Sequence, residues 1–322
     1  MFVPTLAEEL RKKIQDVFYE GRVVPKHTET QHFYQDTVDG ETYASVTTKT
    51  SLLSRDYYKQ LAADKAVEHI QTHISRFSIM EPEQITEVFT YAREAHKHDL
   101  NRAGLWGTHG HDLVDRYVSA WLKDNKRPDD IRSFVTPELS NEGVCVGLSA
   151  SRFFDDFTMF PIASELKVIS KKHQYAGTLD SLWLIGSVYK ERIGEISCPH
   201  NWFEKGKDKI KCGSCKREEK LELVLGDWKS SNAILGIGSM AKFDYAMQVA
   251  AYAIALKEMA GINPKKHWIV RLDKKSPSYE VGVITDTKRA AKAFLAMNEV
   301  SNFARSSTPP IEPLIKKQVI TL

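Results

Sequence analysis

The sequence predicts an α/β fold, a central mixed β-sheet flanked by helices, with one metal-binding hairpin inserted between two of its strands. Three observations lead there. Runs that alternate or stay apolar, as strands do, fill the second half of the chain: ELKVIS (165–170), YAGTLDSLWLIG (175–186), LELVLGDWK (221–229), WIVRL (268–272) and YEVGVIT (279–285). Segments with helical spacing separate or follow them, at 111–125, 243–259 and 287–303. Strands mixed with helices pack as a covered sheet. The third observation is a cluster of cysteines with a histidine, placed between two of the strands.

The first hundred residues read as mainly helical, with apolar positions at helical spacing over 6–19, 57–77 and 85–100. Glu81-Pro82 opens the last of these, because proline suits a first turn. Between them TYASVTTKTSLLS is β-branched and polar and is expected to be strand or loop. The expected organisation is a mainly helical region over 1–105, a core over 106–305 with the hairpin at 187–220, and an irregular tail over 306–322. That tail contains Pro309, Pro310 and Pro313.

The chain has 322 residues, 42% hydrophobic and 27% charged, the composition of an ordinary globular protein with ample core. Its net charge of +3 is mild, so any site for a polyanion must be local. No apolar run approaches the roughly 20 residues of a membrane span. The start, MFVPTLAEELRKKIQDVFYE, has charges throughout and no apolar signal core. A cytoplasmic protein, in the host cytoplasm if viral, with no membrane partner, is the expectation.

Four groups of residues carry chemistry. Asp227 and Lys229, two apart on a strand, project to one face with Trp228 opposite. Burying such a pair is costly unless a metal and a phosphate compensate it; an exposed ion pair at a strand end is the bland alternative. Asp180 stands in a run of small and apolar residues, Gly177-Thr178-Leu179-Asp180, where aspartate is disfavoured. Two carboxylates from neighbouring strands would give magnesium its preferred oxygen ligands, while a turn aspartate is the competitor. Gly107-Thr108-His109-Gly110-His111 precedes Asp115, and Thr108 reads as a helix cap, with His111 and Asp115 sharing a helical face. Gln248 and Tyr252 are likewise four apart on the helix 243–259.

In that order the motifs GTxxH, GxxD, DxK and QxxxY resemble the RecB-type exonuclease branch of the PD-(D/E)xK nucleases. The segment PIASELKVISKKHQYAGTLDSLW resembles that family's lead-in hairpin, with Glu165 at its start. YASVTTKTSLL is similar to a segment of phage exonucleases and of the mitochondrial genome maintenance exonuclease. The resemblance spans about 43–303. It implies a restriction-endonuclease-like core and metal-dependent phosphodiester hydrolysis on DNA, at ends or single strands, in phage-like replication or recombination. It further implies Mg2+ (or Mn2+) held by His111, Asp180, Asp227 and the Trp228 carbonyl, with Lys229 handling the attacking water. Gln248 and Tyr252 would position the strand or support Lys229. The pattern is departed from at Asp115, where many relatives have glutamate, and before Asp180, where no proline stands. A structure-selective endonuclease on the same site, or a non-catalytic DNA-binding protein, are the competing functions.

The stretch between Asp180 and Asp227 holds Cys198-Pro199-His200 and Cys212-Gly213-Ser214-Cys215. Three thiolates and an imidazole around a short charged loop suit a structural tetrahedral Zn2+. An iron–sulfur cluster using Cys145 in place of His200, or free thiols, are the alternatives. The loop over 202–220 has seven lysines and arginines against four acids, which would track a DNA backbone or simply be solvated. Trp202 would stack on a base or cover the metal.

Overall fold

A five-stranded sheet organises the chain. In chain order its strands are β4 (Phe157–Ser170), β5 (Tyr175–Val188), β9 (Glu222–Ser230), β10 (Lys266–Leu272) and β11 (Tyr279–Val283). Their spatial order is β11-β10-β9-β5-β4. The β9–β10 pair is parallel and the others are antiparallel, so the sheet is mixed as expected. The structure, a computed structural model, describes residues 2–19, 21–27, 32–51, 55–188, 198, 200–231 and 240–304. The tail expected over 306–322 lies outside the described residues, as do 189–197 and 199 of the hairpin.

Helices cover both faces. Helix α1 (Thr5–Val17), α6 (Met240–Ala260) and α7 (Thr287–Ala304) enclose a core containing Leu182, Leu184, Leu225 and Ile269. On the other face α4 (Pro82–Asp124) and α5 (Asn141–Asp156) bury Trp183, Trp228 and Val270 against Leu113, Tyr117, Phe153 and Phe154. Trp228 therefore faces one core while its neighbours Asp227 and Lys229 face the other way, the alternation that a strand imposes.

The first hundred residues contain more than helix. Strands β1 (Val23–His27), β2 (His32–Asp36) and β3 (Thr42–Ala44) form an antiparallel sheet of their own. TYASVTTKTSLLS supplies β3 and then turns helical as α2 (Val46–Thr50), where strand or loop was expected. The local cause is Ser45, whose side chain accepts the Thr48 N–H at 3.0 Å and caps the helix despite its β-branched residues. Its residues 52–54 lie outside the described ones. Helix α3 (Arg55–His73) packs on the first half of α4.

The helices expected at 85–100 and 111–125 are one helix, α4, and Thr108 lies inside it rather than capping it. The helix starts at a capping box in which Glu81 and Gln84 exchange side-chain and backbone bonds. Gly107 and Gly110 weaken a helix locally, yet both sit at close approaches and packing requires glycine at 110. A Cβ on Gly107 would lie 2.9 Å from Ser230 Oγ, and one on Gly110 would lie 2.5 Å from Val146 Cγ1. The boundary expected near residue 105 thus falls in mid-helix.

Between β5 and β9, the hairpin forms a third small sheet, β6 (Trp202–Gly206), β7 (Lys209–Cys212) and β8 (Glu218–Lys220). Ile210 and Leu221 anchor it in the α6-side core, and Thr5 Oγ1 donates to Glu204 Oε2 at 2.9 Å to tie it to α1. Among the described residues no helix is long and apolar enough to cross a membrane.

Candidate metal centres

The first site forms where β5 and β9 part. Their ladder ends at Ser181–Gly226. One step further Asp180 and Asp227 stand opposite each other, and the Trp228 N–H turns to Asp180 Oδ2 at 2.7 Å. Gly226 at the last rung allows a close approach, since a Cβ there would lie 2.7 Å from Ser181 Oγ.

Glu165 completes the group from β4. Its neighbours Ser164 and Leu166 pair with Ser181 and Leu179, so Glu165 lies across from Asp180, at a backbone φ of +47°. Non-glycine residues rarely adopt such a φ, and strain of this kind gathers at functional sites. Helix α4 brings in His111. One ligand atom each from His111, Glu165 and Asp180 lie within 4.8 Å of one another. That geometry suits a shared cation. Glu165 appeared in the sequence as the start of a hairpin and was not assigned a ligand role. A charged residue in PIASELKVIS was the available signal; the positive φ that aims it was not.

Asp227 stands apart from these three. It is 1% exposed, and its Oδ2 is 2.6 Å from Lys229 Nζ, a contact with the distance of an ion pair but not the angles of a hydrogen bond. Its Oδ1 has no hydrogen-bond partner. Lys229 Nζ also donates to Gln248 Oε1 at 3.1 Å, and Gln248 Nε2 donates to the Tyr252 hydroxyl at 3.0 Å. The Tyr245 ring lies 4.9 Å from the ammonium. Gly177 lets α6 approach this closely, since a Cβ there would be 2.5 Å from Tyr252 Cε1. Asp115, one turn after His111, accepts from Ser164 Oγ at 2.6 Å and helps seat β4.

The electrostatics are those of crowded carboxylates. Burial, then the charges of Asp180, Asp115, Asp112 and Asp227, push Glu165 up to about 9. Burial raises Asp227 to about 6 although Lys229 pulls the other way, and burial raises Asp180 as well. His111 is depressed to about 4 by burial and by the Lys229 charge, so it presents a neutral imidazole at neutral pH. Burial opposes the Lys229 ammonium, but Asp227 and Asp180 outweigh it and hold its pKa above the ordinary value. A buried surplus of negative charge with an orphaned carboxylate oxygen is costly when metal-free. The donor set, oxygens with one imidazole, fits a hard divalent cation.

The second site lies at the end of the hairpin sheet where the chain enters β6 and leaves β7. Ligand atoms of Cys198, His200, Cys212 and Cys215 all lie within 4.8 Å of one another. Cys198 Sγ is 3.7 Å from Cys212 Sγ, and Cys215 Sγ is 3.4 Å from His200 Nδ1. Those are the edges of a tetrahedron about 3.5–3.8 Å on a side, which follows from metal–sulfur and metal–nitrogen bonds of about 2.3 and 2.0 Å. The four residues can hold a metal such as zinc. Asn201 supports them: its Oδ1 accepts from the N–H and hydroxyl of Ser214, both at 2.8 Å. Burial works against the Cys212 thiolate, yet backbone N–H groups of Cys215 and Ser214 together with His200 bring its pKa down to about 6. Cys145 sits on α5, and His200, not Cys145, completes the group. Trp202 stacks on the His200 ring at 4.8 Å and so covers one side of the cluster.

A cavity of about 660 Å³ between α6 and α7, lined by Phe243, Tyr245, Met247 and Val283 among others, contains none of the ligand residues of either site.

No family model and no curated protein matches the chain. Among solved structures it is similar to one described as "Crystal structure of SSO0001", at 13% identity, over 62% of this chain and 76% of that one, with a TM-score of 0.25. A likeness at that level carries no argument about fold or function.

Proposed function

We propose that the protein is a divalent-metal-dependent deoxyribonuclease of the PD-(D/E)xK type, an exonuclease acting on DNA ends or single strands. One observation carries the reading: His111, Glu165 and Asp180 converge beside a buried Asp227–Lys229 pair that leaves Asp227 Oδ1 without a hydrogen-bond partner. The order of the motifs along the sequence supports the same reading, and with it a restriction-endonuclease-like core.

His111, Glu165, Asp180 and the free oxygen of Asp227 would hold Mg2+ or Mn2+, which when bound supplies Lewis acidity at the phosphate and a more acidic water. The chain's own groups do the rest. Lys229 keeps its proton and acts as a fixed charged donor beside the reacting phosphate, where charge develops. Gln248 accepts from that ammonium and Tyr252 secures the amide, so the donor is aimed before substrate arrives. Trp228 N–H fixes the Asp180 carboxylate. In this reading the hairpin carries a structural Zn2+ chemically distinct from the catalytic ion.

End-labelled linear single-stranded and duplex DNA, with internally labelled circular DNA, incubated with Mg2+, Mn2+ or EDTA tests this. Metal-dependent loss of the label from linear but not circular DNA is expected. Cleavage of circles would move the assignment to an endonuclease. Binding without cleavage under any divalent metal would leave a DNA-binding protein.

A further inference from the structure

The N-terminal sheet reaches the proposed nuclease site with a phenol from β2 and with Val23 of β1, which lines a pocket with Glu165. Tyr34 lies at the centre of β2, paired with Pro25 of β1 and Tyr43 of β3. Its hydroxyl reaches across to β5 and is 3.0 Å from Thr178 Oγ1. Thr178 is two residues before Asp180 and so shares its face of the strand. Tyr34 also lies in the field of Glu165 and Asp180 and interacts with Tyr252.

On the flank facing β1, Arg22 and Lys167 share a pocket with Glu165, while Asp180 lies on the face of β5 that carries Thr178. A DNA phosphate is an anion entering a place already crowded with carboxylates. Lys229 serves the Asp227 side. The Glu165–Asp180 side meets the hydroxyls of Tyr34 and Thr178. A sheet contact alone would be served by phenylalanine, whereas a hydroxyl both donates and accepts and keeps bonding capacity beyond one partner. Resting on the nuclease reading, we propose that Tyr34 is a further residue of the site, donating its phenol O–H to a phosphate oxygen of the bound strand beside Glu165 and Asp180.

The test is single-turnover cleavage of a labelled oligonucleotide with Mn2+, comparing wild type, Tyr34→Phe and Thr178→Val. Each is given the natural strand and strands with one methylphosphonate at successive positions around the cleaved bond. Losing one hydrogen bond to an ionised group should slow Tyr34→Phe about tenfold. Its Mn2+ affinity and melting temperature should stay as in the wild type. One methylphosphonate position should slow the wild type similarly and slow Tyr34→Phe no further, because both changes remove the same contact. Thr178→Val keeps the phenol and should keep that penalty. Tyr34→Phe at the wild-type rate, or additive penalties at every position, would overturn the proposal. So would a Thr178→Val variant that reproduces Tyr34→Phe, since the phenol would then act only by holding the sheet. A wild type that binds Mn2+ but leaves every DNA intact would overturn the nuclease reading and this inference together.

Discussion

The two ligand clusters of this chain are built on opposite principles. The hairpin cluster draws its ligands from one local sheet, uses soft donors, and closes a tetrahedron with Cys215 at the surface. The other draws His111, Glu165 and Asp180 from α4, β4 and β5, with Asp227 of β9 beside them. Its donors are hard, and one buried carboxylate oxygen is left over. A closed set with supported ligands saturates its ion and holds a fold together. An open set that accumulates like charge stores a cost which an incoming cation and substrate relieve. On the proposed reading, donor type and the count of unmet valences, more than the presence of ligands, separate a structural centre from a reactive one.

The comparison breaks first at the open centre. Asp180→Ala, Asp227→Ala and Lys229→Ala should each lower cleavage by about a thousandfold or more, because metal and water handling act as a unit. Circular dichroism should show all three folded. Activity surviving Asp227→Ala or EDTA would remove the reactive role.

At the closed centre, elemental analysis should find about one zinc per chain in the wild type and none in Cys212→Ser. Because the hairpin links β5 to β9, cleavage should fall about a hundredfold through a shift of order 1 Å at the carboxylates. Excess Mg2+ should not restore it. Iron with labile sulfide, or four reactive thiols and no metal, would refute the zinc assignment.

Stability against pH separates the centres without any substrate. A folded Glu165 near 9 holds a proton that the unfolded chain has released. Stability should therefore fall as pH rises from about 6.5 to 9 in protein whose carboxylate centre is emptied while the hairpin keeps its zinc. Without zinc, Cys212, brought down to about 6, would add the opposite slope in that window. His111 does not confuse this window, since its depressed pKa acts only below about 6.5. Glu165→Gln should flatten the slope, and Mn2+ should cancel it by taking the place of the proton. A flat profile with the carboxylate centre emptied would show that the carboxylates do not crowd.

The smallest effect belongs to the supporting amide and phenol. Gln248→Ala or Tyr252→Phe should lower the cleavage rate about three- to tenfold with little change in melting temperature, since each leaves Lys229 paired but less well aimed. A large melting loss at normal specific activity would make them packing residues.

What the sequence disclosed follows from which forces are local. Strand alternation at 165–170, 175–186 and 221–229 exposed the sheet, and the spacings of Asp227 with Lys229 and of Gln248 with Tyr252 put each pair on one face. Donor softness exposed the hairpin cluster. The run around Thr108 misled because two glycines next to a threonine look like a helix start, whereas in mid-helix they allow close approach to Ser230 and Val146. Glu165 was missed as a candidate ligand because its place depends on a backbone angle and on a neighbour across the sheet. Tyr34 was invisible for a similar reason: contacts 144 positions apart leave no period to read.

The continuity of α4 has a mechanical consequence. Its 43 residues make a rod about 64 Å long, with His111 about 43 Å from its first residue. Buried residues in the first half, Val88, Ala92 and Ala95, belong to neither core that clasps the sheet, while Leu113 to Trp121 are gripped by one of them. A tilt of about 5° pivoting in the gripped half would swing the outer end by roughly 4 Å yet move the imidazole by well under 1 Å at a rise of about 1.5 Å per residue. The helix is thus a lever with its short arm at the metal: whatever takes hold of the outer half can flex it widely while the ligand geometry stays still.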